Sequence, residues 1–132
     1  MKVSIVNIGN ELLVGKTLNT NSYWLGEKVS SAGCQVEYQI TVNDDENSIV
    51  SGLNYCLKNK PEYLLVTGGL GPTDDDVTRE VLFSYMKTES IFDSEYWRVL
   101  TERYKQAGLV ISKSLKSQAL VPKTGEVITN PK

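Results

Sequence analysis

Residues 2–8, KVSIVNI, set Val3, Ile5, Val6 and Ile8 among β-branched neighbours, which predicts a buried first strand. The mostly polar stretch GNELLVGKTLNTN that follows reads as a loop. From Ser22 the period lengthens. Trp24, Leu25, Val29 and Ala32 recur at helical spacing, with Asn19 or Asn21 as candidate N-caps and Gly33 as the C-terminal stop. Residues 34–42, CQVEYQITV, alternate and predict a second strand. Residues 43–60 open on acids and gather Ile49, Val50, Leu53, Cys56 and Leu57 on one face, an amphipathic helix stopped by Pro61. YLLV, residues 63–66, is a continuous apolar run of the kind found in strands buried on both faces. Residues 75–86 predict a helix with Val77, Val81, Leu82 and Tyr85 inward, and residues 93–107 another holding Tyr96, Trp97, Leu100 and Tyr104. QALVP (118–122) and EVITN (126–130) read as short edge strands. The order β-loop-α-β-α-β-loop-α over the first 86 residues predicts an α/β fold with a parallel sheet and helices on both faces. No repeat or linker interrupts it, so residues 1–132 are expected to form a single domain.

Composition narrows the function. The chain has 132 residues, 40% of them hydrophobic, and a net charge of −2, enough for one sizeable core and no electrostatic footprint for nucleic acid. No apolar run approaches the roughly 18–20 residues of a membrane helix, and the short apolar N-terminus reads as a strand rather than a signal peptide. A cytoplasmic protein with reduced Cys34 and Cys56 is expected. There is no histidine, which removes imidazole bases, Ser-His-Asp and Cys-His pairs and His-ligated zinc. Chemistry must run on carboxylates, hydroxyls, lysine, backbone amides or a hard metal ion. Arginines number only Arg79, Arg98 and Arg103, so an anion would lean on backbone N–H groups.

In open α/β sheets ligands bind beyond the C-terminal ends of the strands. Three segments meet that edge: Gly9, Asn10 and Glu11; Asn43, Asp44 and Asp45; and TGGLGPTDDD, residues 67–76. The third has two readings. Its glycines serve a tight β-to-α turn with Thr73 or Asp74 as the helix cap, or they form a phosphate cradle at a helix N-terminus. Three consecutive aspartates favour the second reading, because a divalent cation can bridge carboxylates and phosphate. Asp44 is either a site carboxylate or the N-cap of the following helix. Asn19 and Asn21 are caps or hydrogen-bonding partners of a sugar or base. Lys16 is a solvated loop residue or a phosphate partner, and Trp24 and Trp97 are core or interface.

Together GNELLVGKTLNTNSYWL, TVNDDENSI and TGGLGPTDDDVTREV resemble the molybdopterin-binding fold family, and within it the N-terminal domains of CinA, the competence/damage-inducible proteins. Gephyrin and the bacterial molybdopterin adenylyltransferases are more distant. The resemblance is close over residues 3–86 and continues loosely through residues 117–132. It implies a three-layer α/β/α sandwich with a mostly parallel sheet and a phosphate-bearing ligand, a nucleotide or a pterin. The CinA branch implies a pyrophosphohydrolase that needs Mg, Mn or Co, with ADP-ribose the first candidate substrate. The adenylyltransferase branch implies molybdopterin binding or adenylylation, and a non-catalytic nucleotide-binding or assembly module is a third alternative. The same resemblance implies catalytic and metal-binding roles for Asp44 and Asp76, and the aspartate run adds Asp75 to the expected metal set. Ligand contacts would fall on Gly9, Asn10, Glu11, Asn19, Asn21, Thr67, Gly68, Gly69, Gly71 and Thr73. It further implies a homo-oligomer, dimer or trimer; charge and hydropathy lead to the expectation of no nucleic-acid or membrane partner. Relatives commonly carry Asp where this chain has Asn10, and the family continues beyond Asn130-Pro131 into a GTAPG loop. The C-terminal end of the family domain is therefore expected to be missing, and no deamidase activity is expected.

Overall fold

The computed structural model of the chain describes residues 1–73 and 75–128. They fall into two compact units, one of Met1–Leu70 with Asp75–Val81, the other of the described residues within 71–74 and 82–132.

The first unit is built on a parallel sheet of β1 (Lys2–Ile8), β2 (Gln35–Val42) and β3 (Tyr63–Thr67) in the order β2-β1-β3. Central β1 is buried from Val3 to Ile8, as a strand covered on both faces must be. Its register sets Asn7 opposite Thr41 on one side and Thr67 on the other. Helix α3 (Glu46–Leu57) buries Ile49, Gly52, Leu53 and Cys56. A side chain at Gly52 would press on Val42 and Ile40, so α3 lies close against the face that carries Val6, Ile40 and Val42. Helix α2 (Thr20–Ser31) covers the opposite face. Its buried Ser22 Oγ accepts from Asn7 Nδ2 at 3.2 Å and also from Gln39 Nε2, residues that point away from α3 by strand alternation. Helix, sheet and helix therefore stack as three layers.

Several boundaries differ from the expectation. The stretch after β1 is not all loop: Asn10–Leu13 form a single-turn helix α1, too short to show a period. Helix α2 starts at Thr20, two residues early, because Asn19 Oδ1 caps it by accepting the Ser22 N–H at 3.0 Å. Strand β3 is only half-buried and Tyr63 is exposed, since β3 is a sheet edge among the described residues rather than an interior strand. Helix α4 runs Thr78–Tyr85, so Asp75 and Asp76 precede it instead of lining its first turn.

In the second unit the antiparallel pair β4 (Ser90–Phe92) and β5 (Leu120–Pro122) joins Phe92 to Leu120 and Ser90 to Pro122. Helix α5 (Ser94–Gln106) is capped by Asp93, which accepts from the Tyr96 N–H at 2.9 Å. Of QALVP, only Leu120–Pro122 is strand; the preceding residues end a 3-10 helix, Ser114–Ala119, that buries Leu115 and Ala119. Residues 126–128 of EVITN form no strand, and 129 and 130 lie outside the described residues. Cys34 and Cys56 are free thiols, and burial raises the Cys56 pKa above its ordinary value. Among the described residues no helix is long and apolar enough to cross a membrane.

Candidate functional site

The chain leaves β1 toward β2 on one side, and β3 lies on the other, so the sheet order reverses at the C-terminal end of β1. Crevices open at such points. Here a cleft of about 150 Å³ is lined by Ile8, Glu11, Asn19, Asn21, Thr67 and Gly68, together with residues of the connecting loop. Five expected ligand residues thus share one cleft. Asn19 spends its Oδ1 on the α2 cap, so a ligand contact from its side chain would use its amide N–H groups.

Each wall is fixed by the backbone. Gly9 donates its N–H to the Val42 carbonyl at 3.0 Å and ties the end of β1 to the end of β2. A side chain on Gly9 would come within 2.7 Å of Glu11 Oε1, so the Glu11 carboxylate folds back over this glycine. Gly68 adopts φ 98°, and a Cβ there would overlap the Ile8 carbonyl oxygen. Only glycine lets the third loop lie so close to β1.

Asp44 and Asp45 divide two tasks that sequence alone leaves undecided. Asp45, not Asp44, is the N-cap of α3: its Oδ1 accepts from the Ser48 N–H at 2.9 Å. Hydrogen bonds from the Ser48 hydroxyl and backbone N–H hold the Asp45 carboxyl below its ordinary pKa. Asp44 is therefore released from capping. It forms a reciprocal clip with Asn10 instead: Asp44 Oδ2 accepts from the Asn10 N–H at 2.9 Å, and Asn10 Oδ1 accepts from the Asp44 N–H at 3.1 Å. Asn10 acts as a clamp on Asp44, a role not visible in its spacing. The other oxygen, Asp44 Oδ1, faces Gly69, where a Cβ would come within 2.9 Å of it and would overlap Thr78 Oγ1. Thr78 is fully buried, and its hydroxyl has no hydrogen-bond partner among the described residues. No sequence motif singled Thr78 out; its only cue is its place just after the aspartate run.

The remaining predicted residues are less tightly gathered. Asp75 is exposed and Asp76 is half-buried. Gly71 and Thr73 belong to the second unit, and Asp74 lies outside the described residues. Among the described residues no three Asp, Glu or Cys side chains stand together as a metal site. The donors shown are one clamped carboxylate oxygen and glycine backbone, while the Thr78 hydroxyl is fully buried against Gly69. That set fits a hard cation such as Mg²⁺, which takes few protein oxygens and completes its shell from phosphate and water.

The family model described as the probable molybdopterin binding domain, MoCF_biosynth, matches residues 4–131. The chain belongs to this family. A CinA-like protein of Nostoc punctiforme is 34% identical over 131 residues, which cover 99% of this chain and 31% of that protein. A CinA-like protein of Fusobacterium nucleatum is 38% identical over 105 residues, 80% of this chain and 26% of that one. The chain thus spans about a third or less of the length of these curated relatives. Among solved structures, CinA of Thermoplasma acidophilum superposes with a TM-score of 0.81 at 29% identity, covering 98% of this chain and 75% of that one. The resemblance to CinA N-terminal domains is borne out, and so is the α/β class with a parallel sheet. Family membership brings an expectation of a small-molecule ligand, and the cleft at the end of β1 is where the fold would hold it.

Proposed function

We propose that this domain is a divalent-metal-dependent nucleotide pyrophosphohydrolase of the CinA N-terminal type, with ADP-ribose as the first candidate substrate. The observation that carries the proposal is the Asn10–Asp44 clip, which fixes one carboxylate oxygen toward Gly69 and Thr78 beside a glycine loop. When bound, a divalent cation offsets phosphate charge and makes water a better nucleophile. The chain's own residues supply the rest. Asp44 anchors the cation, with Asp76 and Asp75 as the further carboxylates. The N–H groups of Gly68 and Gly69 donate to phosphate oxygens as charge builds. Asn19 and Asn21 at the cleft bind the sugar or base. Water adds across the P–O–P bridge and yields AMP and ribose 5-phosphate. No imidazole is present, so a carboxylate accepts the proton.

The test follows AMP by chromatography after incubation with ADP-ribose and Mg²⁺, Mn²⁺ or Co²⁺. Wild type is expected to form AMP only with metal, and Asp44→Asn and Asp76→Asn to form about tenfold less or lower still. Unchanged turnover in both variants would sink the assignment. The family description favours a second reading, molybdopterin binding or adenylylation at the same cleft. Copurified fluorescent pterin, or AMP transfer to molybdopterin, separates it from hydrolysis. Tight nucleotide binding with no turnover under any metal would make the domain a binding module.

A further inference from the structure

Helices α2 and α3 are held to the sheet by different forces. Helix α3 buries Ile49, Gly52, Leu53 and Cys56, an apolar stripe. Helix α2 has one buried residue, and it is polar: Ser22. The Ser22 hydroxyl accepts from Asn7 Nδ2 of β1 at 3.2 Å and from Gln39 Nε2 of β2. Asn7 Nδ2 also donates to the Ile40 carbonyl at 3.0 Å, which orients the amide. One turn further along α2, a Cβ on Gly26 would lie 3.5 Å from Gln39 Oε1, so the helix runs close over this side chain. Asn7 carries a cost in its place. Its Oδ1 is buried without a partner among the described residues, a penalty that an apolar side chain would avoid. What the amide contributes here is its donor.

Apolar packing is non-directional and lets a helix shift or turn by small amounts, whereas hydrogen bonds fix distance and angle. The Ser22 clasp therefore sets the height and rotation of α2 on the sheet. Ser22 also sits at the cleft end of α2, because its N–H is the one that Asn19 caps at 3.0 Å. Asn19 and Asn21 line the cleft; Asn7 and Gln39 are not among its lining residues. We infer that Asn7 and Gln39 are positioning residues: acting through the Ser22 hydroxyl, they fix where Asn19 and Asn21 stand and so govern recognition of the nucleoside half of the ligand. This assignment rests on the reading above, in which the two asparagines bind the sugar or base. The phosphate end depends instead on Gly68, which is placed by its contact with Ile8.

Calorimetric titration with AMP and, separately, with pyrophosphate, both with Mg²⁺ present, reads the two halves of the cleft without any turnover. Ser22→Ala, which removes the shared acceptor, is expected to weaken AMP binding about tenfold and to leave pyrophosphate within about twofold of wild type. Asn7→Leu, which removes the donor together with the unpaired oxygen, should show the same AMP-selective loss. Gln39→Met, at an exposed position, should lose about threefold for AMP alone. The double variant Ser22→Ala with Gln39→Met should bind AMP no more weakly than Ser22→Ala, because both losses pass through one hydroxyl. Unchanged AMP affinity in Ser22→Ala or Asn7→Leu, an equal loss for AMP and pyrophosphate, or additive losses in the double variant overturns the inference. A lower Tm with unchanged AMP affinity would mark the clasp as structural only. If Ser22→Ala and Asn7→Leu do not fold, Gln39→Met decides by the same comparison of AMP with pyrophosphate. If wild type binds no AMP, the proposed function falls as well; if it binds AMP and the variants match it, only the positioning role falls.

Discussion

The two units secure their secondary structure by different means. In the first, β1 is buried over six of its seven residues and α3 buries four residues, Ile49, Gly52, Leu53 and Cys56. In the second, all three residues of β4 are exposed and α5 buries none. Helix α5 leans instead on its Asp93 cap and on Arg98, which pairs with Glu95 at 2.7 Å and with Glu102 at 3.9 Å. Burial is cooperative and rigid; caps and surface pairs are local and weak. The clamped carboxylate and the glycine contacts stand on the rigid unit, as a site that must hold its geometry requires.

The largest difference should appear in the cores. Ile5→Ala, at a fully buried position, is expected to cost about 2–5 kcal/mol, whereas Ile91→Ala, 49% exposed in β4, should cost about 1 kcal/mol or less. Urea unfolding of both measures it, and similar costs would erase the contrast. Next come two glycines of positive φ. Gly68→Ala drives a methyl into the Ile8 carbonyl and should cost about 3 kcal/mol and, under the proposed function, abolish nucleotide binding. Gly108→Ala meets open space and should cost only about 1 kcal/mol. Nucleotide titration of the folded Gly68→Ala protein gives the functional half of that result.

The caps make a finer comparison. Hydrogen exchange should show the first turn of α5 opening in Asp93→Ala, while α3 in Asp45→Ala stays protected beyond its first turn by its buried face. The smallest effect concerns pH. The Asp45 carboxyl is held below the ordinary carboxylate range, so its stabilisation is complete above that range and is lost as pH falls through the lowered value. Asp45→Asn keeps a capping oxygen and removes the titration. Its Tm should therefore fall less than that of wild type on acidification, and parallel curves would count against this origin.

The parts of the fold legible in sequence are those whose burial imposes a period. Alternation marks β2 and the β-branched run marks β1, each within one residue, and the Ile49, Leu53 and Cys56 stripe marks α3, whose ends each fall three residues inside the expected 43–60. Helix α1 has a single turn and no stripe, so its residues read as loop. Strand β4 exists through pairing with residues some thirty positions later, and nothing in SIF encodes that partner. YLLV shows a strand but not whether a neighbour covers its outer edge. The site was legible to the same depth. Glycines and aspartates at strand ends are local signals, and they point to the edge where the cleft lies. The Asn10–Asp44 clip and the approach of Gly69 to Thr78 depend on which strand lies beside which, so spacing along the chain cannot supply them.

The Asp45 cap also shapes how this domain can change. Helix α3 is anchored by Asp45, the residue next to Asp44, so the helix cap and the Asn10 clip do not compete for one side chain. Position 44 can be exchanged, and position 10 with it, while α3 keeps its own hydrogen bond. Changes at the end of β1 and at the turn after β2 can thus be made while the helix behind them keeps its anchor.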